Sequence, residues 1–339
     1  MIVAAPIGTR AAVQSSAPNA GRAVPALGRC YLVINPGSHH GRSRETAALY
    51  RALLAADAGT GPAAVDCGYT RTLEDAGTLT RRALAAGYDT IVAVGGDGTI
   101  NRVVNAMLEP EVEPRGARLG ILYSGTSPDF CRFHGIPTDP AAAVRVLRTG
   151  VAHAIDVCRI THRDAAGQVR VDHFASSANI GLGAGIAGRA NRMRPRLGDF
   201  LGTLLASMVT IARRGPQRVR LVVDGEELAI APALNISVGK NPYLASGLKL
   251  DAHVSADDGR LFVFAICGIG RAELLAALPR IYSGSITRDP RFVLRRASVV
   301  NVEPLEGELA TEFDGDPAGF CPAEIRVLPG ALHLIGERP

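Results

Sequence analysis

Residues 91–101 read Ile-Val-Ala-Val-Gly-Gly-Asp-Gly-Thr-Ile-Asn, and no other stretch limits the fold of this chain so tightly. Its apolar, partly β-branched start predicts a buried strand. The strand runs straight into Gly95, Gly96 and Gly98, set around one acid, Asp97. Glycines at such a turn let the backbone approach another group closely and take torsions barred to other residues. A helix is expected from Thr99. Its first turn presents unpaired N–H groups and the positive end of a dipole, which together seat an anion such as phosphate. Asp97 stands where it can reach a nucleotide-bound magnesium, and Thr99 can cap the helix or touch phosphate. Without a ligand, the same string is a strand–turn–helix whose glycines serve only the turn. It is neither a Walker A loop nor the G-x-G-x-x-G dinucleotide fingerprint.

The surrounding pattern sets the fold class. Strands are expected at Cys30–Ile34, Val65–Tyr69, Thr90–Val94 and Leu119–Tyr123. Helices are expected at Arg44–Ala58, Leu73–Ala86, Thr99–Met107 and Pro140–Arg148. Alternation of this kind predicts an α/β domain with a parallel sheet covered by helices. Past Gly150 the reading changes to strands at 153–160, 169–178, 218–223, 227–238, 261–266, 292–302 and 309–313. Turn signals such as Asp224-Gly225, Asp258-Gly259 and Asp314-Gly315 join several of them, which predicts an antiparallel, β-rich second domain. One helix interrupts, from about Asp199 to Arg213, with Phe200, Leu201, Leu204, Leu205, Met208 and Val209 at helical spacing; it reads as a core helix. The expected organisation is a disordered leader over 1–28, an α/β domain over 29–150 and a β-rich domain over 151–328. A terminal segment, 329–339, returns to the first domain.

Composition excludes several classes. A chain of 339 residues that is 47% hydrophobic and 20% charged buries a sizeable core and is not disordered overall. No apolar run reaches the roughly 18–20 residues needed to span a bilayer. The start of the chain lacks a basic end followed by a clean apolar stretch, so no signal peptide is read and a cytoplasmic protein is expected. The 6 cysteines show no C-x-x-C spacing and read as reduced core residues. The net charge of +5 fits visits to phosphate or to an anionic membrane. No Lys/Arg-rich run of nucleic-acid-binding type is present.

Two more strings matter. One is Asn35-Pro36-Gly37-Ser38-His39-His40-Gly41-Arg42, after the first strand. The other is Gly125-Thr126-Ser127-Pro128-Asp129-Phe130-Cys131-Arg132, after the fourth. With the glycine string, in this order and spacing, they resemble the N-P-x-S-G-x-G, GGDGT and G-T-x-N-D-F-A-R motifs of the diacylglycerol and sphingosine kinase family. GGDGT alone is shared with NAD kinases and phosphofructokinases; the other two strings select the lipid kinases. Asn179-Ile180-Gly181-Leu182-Gly183, Ser246–Lys249, Asp257–Gly259 and Phe313–Asp316 also look like family strings, so the resemblance runs from about Tyr31 to the C-terminus.

The resemblance implies an NAD-kinase-like nucleotide-binding domain followed by a β-rich domain, with ATP and Mg2+ in the cleft between them. The implied reaction is ATP-dependent phosphorylation of a membrane lipid hydroxyl, with diacylglycerol, ceramide and sphingoid bases all open. Asp314 maps onto the family's general base, with Asp97 beside it. Asn35, Ser38, Gly41, Arg42, Gly95, Gly96, Gly98, Thr99, Asn101, Gly125, Thr126 and Asp316 fall to the nucleotide. Asp97 and Asp129 fall to magnesium, and Asp257 and Asp258 lie where relatives hold a structural cation. The implied partner is the lipid at a membrane's inner face, reached by peripheral contact, with a homodimer left open.

Other readings stand beside these. Asp314-Gly315 alone is more often a hairpin turn. Asp257-Asp258-Gly259 is a hairpin turn too, Asp129 a helix cap, and Asn35 and Asn101 partners for local backbone. The stretch Arg189, Arg192, Arg194, Arg196 is a solvated face or a contact for anionic headgroups. His39, Arg102 and Pro128 depart from the family pattern, and they keep a catalytically inactive nucleotide- or lipid-binding relative in view beside an NAD kinase.

Overall fold

The computed structural model describes residues 27–37, 65–109, 116–125, 128–213, 215–244, 248–270 and 291–337, with scattered positions between 45 and 52 and between 272 and 289. Most of the leader expected over 1–28, the bulk of the helix expected at Arg44–Ala58, and Ser38, Gly41, Arg42, Thr126 and Ser246 lie outside the described residues.

The first half builds a parallel sheet from β1 (Cys30–Ile34), β2 (Val65–Tyr69), β3 (Thr90–Gly95) and β4 (Arg118–Tyr123), as the strand–helix alternation requires. Between them run α1 (Asp75–Ala85) and α2 (Asp97–Met107); α3 (Asp129–His134) and α4 (Pro140–Thr149) follow. β1, β3 and β4 are apolar at most positions because both their faces are covered, whereas the edge strand β2 is only partly buried. Val33, Ile91 and Ala93 join Ile100, Val103 and Val104 of α2 on one face. Leu32, Ile34, Val92 and Val94 meet Val144 and Leu147 of α4 on the other. Burying each of the valine, leucine and isoleucine side chains here stabilises the fold by about 1.5–3 kcal/mol.

The second half is an antiparallel, β-rich unit. Its elements are β5 (Val151–Arg163), β6 (Val169–Phe174), β7 (Ser177–Gly181), α5 (Leu182–Leu197), α6 (Asp199–Arg213), β8 (Val219–Val223), β9 (Glu226–Leu228), β10 (Ala233–Gly239), β11 (Tyr243–Leu244), β12 (Leu248–Lys249), β13 (Leu261–Cys267), β14 (Phe292–Ala297), β15 (Val299–Pro304), β16 (Ala310–Phe313) and β17 (Asp316–Gly336). Period-2 alternation sorts its cores. Leu261, Val263 and Ala265 of β13 face a sandwich core with Ile180, Leu221, Val300 and Ile325. Phe262, Phe264 and Ile266 face the opposite way, with Leu182 and Ile211 of the two helices.

β17 joins the halves. It starts in a hairpin with β16, runs antiparallel to β5, and ends parallel to β4, where His333 and Leu334 lie opposite Arg118 and Leu119. The main strand order is β14-β13-β10-β7-β16-β17-β4-β3-β1-β2, so one sheet passes from the second unit into the first.

Several strand and helix bounds differ from the sequence reading. The strand expected over Val169–Ala178 breaks after Phe174, because the amides of Ala175, Ser176 and Ser177 turn to a carboxylate, described below. The one expected over Phe292–Val302 splits at Ser298, whose N–H, like that of Val299, donates to Asp224. The helix α5 was not read from the sequence at all. The helix α6 occupies the expected residues, but its apolar stripe is not in the core: Leu201, Leu204, Leu205 and Met208 stand exposed, while Gly202, Ala206 and Thr210 are buried. No described helix is long and apolar enough to cross a membrane.

Candidate active site

The site grows from the C-terminal ends of β3 and β4, which run side by side in parallel. Gly96, extended at φ −95°, is the N-cap of α2, so the helix begins at Asp97, two residues before the expected start. No side chain caps it, which leaves its first N–H groups for an anion. The next loop along the sheet touches this one backbone to backbone. A Cβ added to Gly125 would lie 2.7 Å from the Gly96 Cα, and one on Gly95 would lie 2.4 Å from the Thr99 hydroxyl. Only glycine fits there, and the result is a cradle of bare backbone. Asn35, after β1, closes its side: its Nδ2 donates to Thr99 Oγ1 at 3.0 Å, and its Oδ1 accepts the Gly37 N–H at 3.0 Å.

Asp314 approaches from the second unit. Asp314 and Gly315 are the two central residues of the β16–β17 hairpin, and both have positive φ, 50° and 90°, as a tight two-residue hairpin turn demands. The turn reading and the site reading therefore describe one feature. The turn aims the Asp314 carboxylate inward, where Oδ1 accepts N–H bonds from Ser176 and Ser177 at 3.1 and 3.2 Å. Its Oδ2 accepts from Ala175 N–H at 3.2 Å and from Asn101 Nδ2 of α2 at 3.0 Å. Asn101 also donates to the His173 carbonyl, so its amide bridges the two units, while its Oδ1 accepts from Asn105 of its own helix at 3.2 Å. Burial pushes the Asp314 carboxyl up to about 6, against the pull of these four donors.

Asp97 lies opposite. Its Oδ1 is sealed from solvent and has no hydrogen-bond partner. Burial, then the charges of Asp314 and Asp129, hold its carboxyl well above the usual range. Asp129 opens α3, its side chain mostly covered, with Arg132 at 3.2 Å. Asp316 reaches within 3.4 Å of where a Gly98 Cβ would stand. Burial raises its carboxyl, while Arg102 lowers it. Arg102, a departure from the family motif, thus compensates an acid of the same site.

These acids suit a magnesium ion that arrives with phosphates. An orphaned Asp97 oxygen on a carboxyl that feels the charges of Asp314 and Asp129 favours a cation beside it. Among the described residues no three His, Cys, Asp or Glu side chains gather closely enough to cage a metal alone, and Mg2+ is ordinarily held by one or two carboxylates plus substrate phosphates.

Asp257 and Asp258, expected beside a structural cation, have protein partners in this structure. Lys240 brings its ammonium to 2.6 Å from Asp258 Oδ1, and Arg296 lies 2.7 Å from Oδ2. Two protein cations thus occupy the Asp258 oxygens, and Asp257 accepts only from the Ser255 hydroxyl. The pair sits in a turn cross-linked by protein groups.

Sequence reasoning missed Glu312. It is buried two residues before Asp314, accepts the Gly315 N–H at 2.6 Å and takes a bond from Asn179 Nδ2 at 2.9 Å. Asn179 Oδ1 in turn accepts from the Ser237 hydroxyl at 2.6 Å. Burial pushes the Glu312 carboxyl up to about 7. The strand period of two from Asp314 is the one sequence signal that could have found it.

A model of the diacylglycerol kinase catalytic domain matches residues 29–160, and a model of the YegS C-terminal NAD kinase beta sandwich-like domain matches residues 176–336. A diacylglycerol kinase of Mycobacterium tuberculosis is 31% identical over 265 residues, which cover 78% of this chain and 82% of that protein. A Pseudomonas aeruginosa protein named "Probable lipid kinase YegS-like" is 30% identical over 272 residues, 78% of this chain and 83% of its own. Among solved structures, a diacylglycerol kinase of Bacillus anthracis superposes with a TM-score of 0.66 at 21% identity, covering 92% of this chain and 97% of that one. A yeast NADH kinase superposes with a TM-score of 0.50 at 13% identity, covering 92% and 84%. At these identities the two structures speak for the fold alone.

Proposed function

The chain belongs to the diacylglycerol kinase family of lipid kinases, and we propose that it transfers the γ-phosphoryl group of ATP to the hydroxyl of a diacylglycerol or a related membrane lipid. The observation that carries this reading is Asp314, a carboxylate raised to about 6 and pinned by four N–H donors next to a glycine cradle.

Phosphoryl transfer needs positioning and charge neutralisation more than covalent chemistry. The N–H groups at the start of α2 and the glycine backbone at Gly95, Gly96 and Gly125 hold the phosphates, with Asn35 fixing the loop beside them. Asp97 and Asp129 would hold a magnesium ion, which would supply charge that offsets the phosphates. The lipid oxygen attacks the γ-phosphorus as the bond to the bridging oxygen of ADP breaks, and Asp314 accepts the hydroxyl proton. A base titrating near 6 is ionised at neutral pH yet still basic enough to accept that proton. Asn101 and the three backbone amides keep the carboxylate aimed. The lipid is met in the bilayer by peripheral contact.

The test is purified protein with γ-labelled ATP, magnesium and mixed micelles holding diacylglycerol, ceramide or sphingosine singly, with NAD in a parallel tube and Asp314→Asn as control. Label in one lipid, lost in the control, supports the reading and names the acceptor. Label in NAD alone overturns it in favour of the soluble kinase.

A further inference from the structure

Something other than packing holds the Asp314 turn. Gly315 is exposed, and a Cβ built on it meets nothing within 4 Å. Glycine takes either sign of φ with equal ease, so neither contact nor residue type keeps the turn in place. Asp314, at φ 50°, holds a left-handed conformation that only glycine takes freely.

Hydrogen bonds fix it instead. Glu312 Oε1 accepts the Gly315 N–H at 2.6 Å, and the Asn191 side chain of α5 donates to the Gly315 carbonyl at 3.2 Å. The Gly315 N–H belongs to the peptide that joins it to Asp314. Holding it fixes the backbone after Asp314, while the Asp314 N–H, bonded to the Ser177 carbonyl at 3.0 Å, fixes the backbone before it.

Glu312 is itself immobilised. Its Oε2 accepts from Asn179 Nδ2 at 2.9 Å, and Asn179 Oδ1 accepts from the Ser237 hydroxyl at 2.6 Å. The Ser237 oxygen accepts from Asn235 Nδ2 at 2.9 Å, and Asn235 Oδ1 accepts the N–H of Gly183, in the first turn of α5, at 2.7 Å. The row crosses β16, β7 and β10 and ends on the helix that also supplies Asn191.

The turn alone does not need this row. Asp-Gly closes a two-residue hairpin without a side-chain acceptor, and burying a carboxylate that is only 4% exposed works against folding. An apolar residue facing the same way would serve the fold as well or better. What the buried acid adds is a fixed peptide beside the base, where a misplacement of one ångström lowers the rate by about a hundredfold.

We infer that Glu312 is a positioning residue for Asp314: its carboxylate clamps the peptide between Asp314 and Gly315, and the row through Asn179, Ser237 and Asn235 anchors that clamp to α5, so that the base stays aimed at the acceptor hydroxyl. This rests on the reading of Asp314 as the base and deepens it.

Two variants separate reach from charge. Glu312→Gln keeps the length and an acceptor for the Gly315 N–H. Glu312→Asp keeps the charge but is one methylene shorter and withdraws from that N–H. With labelled ATP, magnesium and the lipid that the wild type phosphorylates, Glu312→Gln should keep kcat within a few fold. Glu312→Asp should lose about tenfold or more, at unchanged KM for ATP. In an Asp314→Asn background the same Glu312→Asp change should cost no more than about twofold, because the clamp has no base left to aim. Hydrogen exchange of the full chain, without nucleotide or lipid, reads the clamp directly. The amides of Ser176 and Ser177 are held by the Asp314 carboxylate, and they should exchange about tenfold faster in Glu312→Asp and at the wild-type rate in Glu312→Gln. Melting temperatures close to the wild type's show that both variants fold.

Three results overturn the inference. Turnover lost in Glu312→Gln as fully as in Asp314→Asn makes Glu312 a proton carrier instead. A loss in Glu312→Asp that is as large without Asp314 makes its effect independent of the base. Unchanged exchange at Ser176 and Ser177 in Glu312→Asp leaves the turn held without Glu312. If the wild type phosphorylates no lipid but the exchange pattern holds, the kinase reading falls and the clamp on the turn stands. If the wild type is an active lipid kinase and Glu312→Asp matches it, the reverse holds.

Discussion

Asp314 balances two opposed forces. Burial raises its carboxyl while Asn101 and three backbone amides stabilise the ionised form, and the balance falls at about 6. As pH falls through that value the base takes up a proton, so kcat/KM should drop with an acid limb near pH 6, close to tenfold per unit below it. Asp97 feels the same field, so the limb belongs to the coupled pair. Asp314→Asn keeps the turn and the side-chain shape but removes the base. Turnover should fall by about 10²–10⁴, with nucleotide affinity within a few fold by calorimetry; loss of nucleotide binding instead would make Asp314 a structural acid. Glu312 supplies a stability signature of its own. Its carboxyl is raised by burial to about 7, above the unfolded value near 4.5. Between those values the unfolded chain binds fewer protons than the folded one, so this group makes stability decline as pH rises from 4.5 to 7, by at most about 1.4 kcal/mol per unit. Glu312→Gln keeps an acceptor for the Gly315 N–H and should remove that slope. Thermal unfolding at pH 5 and pH 8 reads it: the variant should gain on the wild type only at the higher pH.

The glycine cradle works as an element, because its loops touch through atoms that no side chain can separate cheaply. Gly125→Ala places a methyl 2.7 Å from the Gly96 Cα and 2.5 Å from the Tyr123 hydroxyl. The two loops must part, and ATP affinity by calorimetry should fall about tenfold or more, since misplacing groups by an ångström costs heavily in a positioned site. Native affinity would show that the phosphates sit elsewhere. This cradle was legible in the sequence because glycines clustered after an apolar strand have few other uses, and β1, β3 and β4 were legible because both their faces are covered. Elements whose shape depends on distant neighbours were not. The sequence of α5 is glycine-rich with a proline at 195, and it holds helical form by packing Ala184 and Ala190 inward while Gly188 passes Pro317; tertiary contact overrides weak propensity. In β17 the prolines at 317, 322 and 329 hide a strand of 21 residues, and its register shifts fall beside them, between Phe320 and Glu324 and between Leu328 and Leu332. The stripe on α6 was read as core because periodicity reports a face, not what covers it. Glu312, Asn179 and Ser237 form a row only through sheet pairing, so no local pattern could join them.

At the scale of the whole molecule, both units must hold one geometry for Asp97 and Asp314 to face each other, and a buried charge cluster under the junction serves that end. Lys240, 1% exposed, brings its ammonium to 2.8 Å from Asp156 of β5 and 2.6 Å from Asp258. Asp156 also accepts the N–H groups of Gly259 and of Gly330 in β17, so one carboxylate ties the strand that joins the units to the loop before β13. The backbone N–H groups of Lys240 and Asn241 hold the Ser176 carbonyl, and the Ser176 N–H holds Asp314. The cluster therefore supports the segment that aims the base. Such an arrangement is costly to break rather than strongly stabilising when intact, because removing one partner strands a charge in low dielectric. Lys240→Met fills the space without the charge and leaves Asp156 with two N–H donors and no cation. Unfolding in denaturant should show a loss of about 3–5 kcal/mol. The folded fraction should also turn over lipid more slowly at unchanged nucleotide affinity, because what loosens is Ser176 and, through it, Asp314. A loss below about 1 kcal/mol with native turnover would mean that the Asp156 carboxylate is satisfied by its amides alone, and the alignment of the two units would then rest on β17 and Asn101.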